Sequence, residues 1–192
     1  MYSLPLLALS FLSLTSPMLP RARFSTAASF ATLALSRYMI LSKISWELTM
    51  IGYTLVIVAN LLYIYSVLPL IEEWSIALSM FGMMFFCTFS YYCFADLYSS
   101  IPFLVILHIG AFATSCLLVV ASSSICLNTM ETEYELYQAS YMRVIGALAI
   151  MGSNTMFLFS LYERRVETLQ NMSRVIFYAA QGLLYLANER TF

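Results

Sequence analysis

The sequence predicts an all-α membrane protein, a bundle of about five transmembrane helices with short connections and an N-terminal extension. Three observations predict it. Of 192 residues, 61% are apolar and 10% charged, against roughly 45–50% and about 25% in an average soluble domain. The charges leave long uncharged runs, the lengths of membrane spans. The runs are apolar on every side, without the polar-at-every-second-position pattern of a membrane barrel strand, so helices are expected. A disordered chain and a nucleic-acid binder working through a basic patch are excluded by the same figures.

The spans follow from the charge gaps. Between Glu47 and Glu72 lie 24 uncharged residues, between Glu73 and Asp96 22, between Asp96 and Glu131 34, between Arg143 and Glu163 19, and between Arg174 and Glu189 14. A helix needs about 20 apolar residues, at about 1.5 Å each, to cross a hydrocarbon core about 30 Å thick. The first four runs suffice. The fifth suffices if Arg174 reaches the interface along its long stem. The expected spans are 49–69, 74–94, 100–123, 141–161 and 171–188. Glu72–Glu73 and 96–100 join the first three tightly, so neighbours pack antiparallel. Only 124–140 and 162–170 leave room for loops. The first holds Glu131, Glu133 and Glu135 with Tyr134 and Tyr137, a pattern that also suits a plain solvated loop.

Residues 1–46 form the expected extension, and 47–192 the transmembrane domain. The extension carries Arg21, Arg23, Arg37 and Lys43, no acid, and many Ser, Thr and Ala. That is the composition of a mitochondrial targeting segment. It is expected to be retained, either as an uncleaved targeting region or as additional structure. Residues 24–42 suit a membrane-associated helix. Pro5, Pro17 and Pro20 argue against one straight helix over 1–20. With five spans, Arg21, Arg23, Arg37, Lys43, Arg164, Arg165 and Arg174 would share one side, against Arg143 and Arg190 on the other. That bias puts the amino terminus in the matrix.

The chemistry is bounded by scarcity. One histidine does not supply the axial ligands of an internal haem. No His or Glu cluster suits a di-iron site. Cys87, Cys93, Cys116 and Cys126 are scattered in apolar runs and read as small hydrophobes. Neither a nucleophile elbow nor a phosphate-binding Gly loop is present. Asn171-Met172-Ser173 fits a glycosylation triplet but sits against a span. No cofactor, metal or self-contained catalytic residue is therefore expected. His108, inside the 34-residue run, is the ionisable group at membrane depth. Such groups mark a proton path or a partner contact, the plain alternative being a neutral imidazole bonded to a backbone carbonyl. Gly110 follows, and glycine suits either close helix approach or a local departure from α geometry.

The third span reads Ile101-Pro102-Phe103-Leu104-Val105-Ile106-Leu107-His108-Ile109-Gly110-Ala111-Phe112-Ala113, then Leu117-Leu118-Val119-Val120, followed by the Glu- and Tyr-rich stretch. Over residues 45–188 this resembles chain 6 of proton-pumping NADH:ubiquinone oxidoreductase, respiratory complex I. That family has five spans, two crowded early joints and an acidic loop after span three. Its third helix carries Tyr-x-Gly-Ala (or Gly-Gly), and His108 stands at the Tyr position here. Residues 161–190 match only loosely.

The resemblance implies a membrane-arm subunit without a redox centre, in the mitochondrial inner membrane beside other complex I subunits. It implies a π-bulge near Gly110 and Ala111, switching between π and α forms to make or break a water wire between the quinone site and the pumping subunits. His108, Gly110, Ala111 and Asp96 are then the proton-path or helix-switch candidates. The alternative from a different class is an accessory or assembly scaffold subunit of another inner-membrane complex, which needs no bulge. A solute carrier is disfavoured because no internal repeat is found. With few small residues in its spans, the chain is expected to be stable only with partners and lipid.

Overall fold

A computed structural model describes residues 3–42, 45–94, 101–129, 134–162 and 167–192. Among these the chain forms seven α-helices: α1 Leu4–Thr15, α2 Pro20–Ser42, α3 Trp46–Val67, α4 Ile76–Phe94, α5 Pro102–Asn128, α6 Tyr134–Tyr162 and α7 Glu167–Thr191. A short 3-10 turn, Leu68–Leu70, closes α3. The fold is all-α, with four helices long and apolar enough to cross a membrane: Trp46–Leu70, Ile76–Phe94, Pro102–Asn128 and Tyr134–Phe159. They coincide with the first four expected spans.

Local chemistry sets the boundaries. Ser45 caps α3, its side chain accepting from the Leu48 amide at 3.2 Å, which satisfies one of the orphan donors of the first turn. Pro102 opens α5 and Pro20 opens α2, positions where the missing N–H costs nothing. The prolines also break the first twenty residues as expected. α1 stops at Thr15 and Ser16 is extended.

Two expected features differ. The loop expected over 124–140 is largely helix: α5 runs on to Asn128, and Tyr134, Glu135 and Tyr137 lie on α6. Glu135 sits in the first turn of α6, where a carboxylate complements the helix dipole. Ser122 and Ser124 turn inward at the end of α5 and are buried, so the helix needs no lipid there. The expected span 171–188 falls on α7, which is not among the four apolar helices. Its buried face carries Ser173, Gln181 and Asn188 beside Phe177, Ala180 and Leu184. Such a helix seats its polar groups against protein rather than lipid.

The core sits where α3, α5, α6 and α7 meet, around Tyr63, Val67, Leu118, Ile125, Ala147, Ile150 and Leu184. A second cluster, with Phe89, Phe94, Val105, Phe112, Cys116 and Leu158, fastens α4 to α5 and α6. A third joins Leu6 of α1, Leu33 and Ala34 of α2, Ala59 of α3 and Phe177 of α7.

Residues 4–42 thus contribute two helices to the same core. α2 lies antiparallel along α3. Arg21 stacks over Tyr65 at 4.2 Å, the Ser29 hydroxyl donates to the Ala59 carbonyl at 2.7 Å, and Gly52 abuts Ser36 and Ile40. Small residues on α2 (Ala22, Ser25, Ala27, Ser29, Ala34, Ser36) are all buried, which lets the two backbones approach. Arg21 and Arg37 therefore lie at opposite ends of the bundle. The seven-to-two charge bias, which counted them on one side, does not hold.

Candidate functional site: a polar pocket around His108

His108 is 4% exposed on the inner face of α5. Its Nδ1–H donates to the Leu104 carbonyl at 2.8 Å. A carbonyl only accepts, so this bond selects the Nδ1–H tautomer and leaves an acceptor lone pair on Nε2. The ring lies 4.2 Å from the Tyr53 ring of α3 and 6.3 Å from the Phe94 ring of α4.

Beside the imidazole is a pocket of about 40 Å³ where α2, α3, α5 and α6 converge, with Arg37, Tyr53, Val56, Ala111, Asn154 and Phe157 in its wall. An enclosed water needs about 10–15 Å³ by such a measure, and two to four polar partners. Two or three waters therefore fit, with Arg37 and Asn154 as polar walls. Hydrogen bonds tie the same level together. Asn154 donates to the Ser115 hydroxyl at 2.8 Å and Asn60 to the Thr114 hydroxyl at 3.0 Å. Both hydroxyls donate in turn to the Ala111 carbonyl.

The structure thus brings His108 and Ala111 to one pocket. Gly110 faces elsewhere: a Cβ there would come within 2.9 Å of the Ile57 Cδ1 on α3, so this glycine serves close helix packing. Asp96 lies outside the described residues. The π-bulge expected near Gly110 is not found. α5 is α-helical without interruption from Pro102 to Asn128, its hydroxyls bonding to carbonyls within the helix without displacing a turn.

Sequence reasoning missed two arginines. Arg37, counted in the sequence only among the basic residues of the extension, faces the pocket. Arg143 was read as a boundary charge, yet it is fully buried. Its Nη2 donates to the Ala187 carbonyl, the Asn188 side-chain oxygen and the Thr191 hydroxyl. Asn188 also accepts from the Tyr63 hydroxyl and donates to Thr26 and Ser66. The signal available for this network was the recurrence of polar residues along the last expected span, Ser173, Arg174, Gln181 and Asn188, before Glu189 and Arg190. Among the described residues no group of three His, Cys, Asp or Glu side chains comes together.

No protein-family model, no curated protein and no solved structure matches the chain.

Proposed function

We propose that this chain is a membrane subunit, without a redox centre of its own, of the membrane arm of respiratory complex I in the mitochondrial inner membrane. In this reading it helps couple quinone reduction to proton translocation. The order of spans with crowded early joints supports the reading, as does the acid-free, Arg- and Ser-rich start of the chain. The observation that carries the coupling role is the water-sized pocket beside His108 where four helices converge. His108, with a donor on one ring nitrogen and an acceptor on the other, can pass a proton to or from water there.

The unbroken α5 favours a second reading: an accessory or assembly scaffold subunit of another mitochondrial inner-membrane complex. A scaffold needs close packing at Gly110 and no helix switch.

Substitution of His108 separates the roles. His108→Phe keeps an aromatic ring of similar size and removes both polar nitrogens. In the assembled complex, protons pumped per electron are expected to fall while NADH oxidation by an artificial acceptor stays at the wild-type rate. An unchanged stoichiometry contradicts the coupling role and leaves the scaffold reading.

A further inference from the structure

Arg37 reaches the pocket beside His108 from α2 as a cation without a counter-charge. Phe177 of α7 covers one face of its guanidinium at 3.9 Å, and its enclosed Nε has no hydrogen-bond partner. Among the described residues no acid pairs with it, and no Asp or Glu stands in the pocket wall. An aromatic ring over the face offsets part of the charge. It leaves the in-plane N–H groups to find acceptors elsewhere. A cation withdrawn from water without acceptors for those groups is costly, so a negative occupant of the pocket is favoured.

The wall selects that occupant by size and hydration. The pocket holds about 40 Å³, room for two or three particles about the size of water. Asn154 of α6 shares the wall with Arg37. Its amide donates one N–H to Ser115 at 2.8 Å and has a second N–H to give. Ile40, Val56, Phe112, Phe157 and Leu158 make the remaining surface apolar. Such a surface replaces none of the water an ion sheds, so it favours ions that hold water loosely. Tyr53 and His108 complete the polar wall. Both have further interactions, and the anion needs neither of them.

We propose that this pocket binds a small inorganic anion of the halide class, chloride under physiological conditions, held by the Arg37 guanidinium and the second N–H of the Asn154 amide. Hydrogen bonds to a charged partner are about twice as strong as neutral ones, and the anion supplies the counter-charge that Arg37 lacks. The site occupies the pocket of the proposed coupling role but requires no proton transfer, and it does not depend on which complex the chain belongs to. Either can therefore fail while the other stands.

The test is halide binding to the full-length protein in non-ionic detergent, with gluconate as the replacement anion at constant ionic strength. Chloride binding is read from the broadening of the chloride NMR line. Wild type is expected to broaden the line saturably, with bromide displacing chloride and the strongly hydrated fluoride failing to do so. Arg37→Gln is expected to weaken binding about tenfold, the scale of one charge-assisted hydrogen bond. Arg37→Lys keeps the charge without the fork and should fall between. Asn154→Asp places a carboxylate in the same wall, which repels the anion and offers Arg37 an acid of its own, so chloride binding should be lost. Absence of saturable broadening with wild type means that the pocket holds water alone and overturns the proposal. Binding of wild-type strength by Arg37→Gln overturns it as well. If Arg37→Gln fails to fold, Asn154→Asp decides: wild-type chloride binding by that variant overturns the proposal.

Discussion

Asn188 joins four helices through one amide. From α7 it reaches Thr26 on α2, Tyr63 and Ser66 on α3, and Arg143 on α6. Hydrogen bonds between helices in a membrane are worth about 0.6 kcal/mol each. Asn188→Leu should therefore destabilise the chain by about 2 kcal/mol, read from reversible unfolding in mixed micelles. Arg143 presents the opposite case. Its charge is buried without an acid among the described residues, and two of its nitrogens, Nε and Nη1, lack partners. Replacing a buried ion by an apolar side chain of similar length is often neutral or stabilising. Arg143→Met should stay within about 1 kcal/mol of wild type in the same measurement, or exceed it. A loss of several kcal/mol would show instead that the guanidinium holds the bundle closed. Neither residue announced this in the sequence. A charge at the edge of an apolar run looks the same whether it meets water or folds inward.

Glycines and small residues set how the helices meet. A Cβ on Gly52 would come within 2.7 Å of Ile40 and 3.2 Å of the Ser36 carbonyl, and one on Gly146 within 3.2 Å of the Ala180 carbonyl. Backbone cannot move aside as a side chain can, so Gly52→Ala and Gly146→Ala should each cost about 1–3 kcal/mol through overpacking. Gly152 and Gly182 meet nothing within 4 Å. There Ala should be neutral or stabilise by up to about 1 kcal/mol through helix propensity. Thermal unfolding of the four variants in one detergent checks the ranking. The four apolar helices were legible because charge facing lipid is costly, which leaves long uncharged runs along them. α2 was legible only as a suggestion, because it is covered by α3 and α1 and so can carry Ser, Thr and Arg37. The π-bulge was an expectation from resemblance; a backbone register has no side-chain signature of its own. That His108 lies on an apolar helix was readable from its run, but its neighbours Arg37, Tyr53 and Asn154 come from three other helices and needed the fold.

For the molecule as a whole, the antiparallel pairing of α2 with α3 changes the topology expected from charge alone. If α3 crosses the membrane, α2 beside it places its two ends on opposite sides. Leu19 and Glu47 are both exposed and flank α2 at its two ends. In a cysteine-free background, Leu19→Cys and Glu47→Cys should therefore react with a membrane-impermeant maleimide from opposite faces. Labelling of both from one face contradicts the arrangement. α4 buries only Phe89 and Phe94, and its outer surface presents Met80, Phe81, Met83, Met84, Tyr91 and Tyr92. So large an apolar face needs lipid or neighbouring subunits around it. The central claim is membership of an inner-membrane respiratory assembly, and the most direct measurement is identification of the chains that co-purify with this one in mild detergent. The account predicts the NADH-oxidising arm among them, with NADH oxidation in the same fraction. Recovery with a different inner-membrane complex would move the chain to the scaffold reading, and migration alone, without partner chains, would contradict the claim.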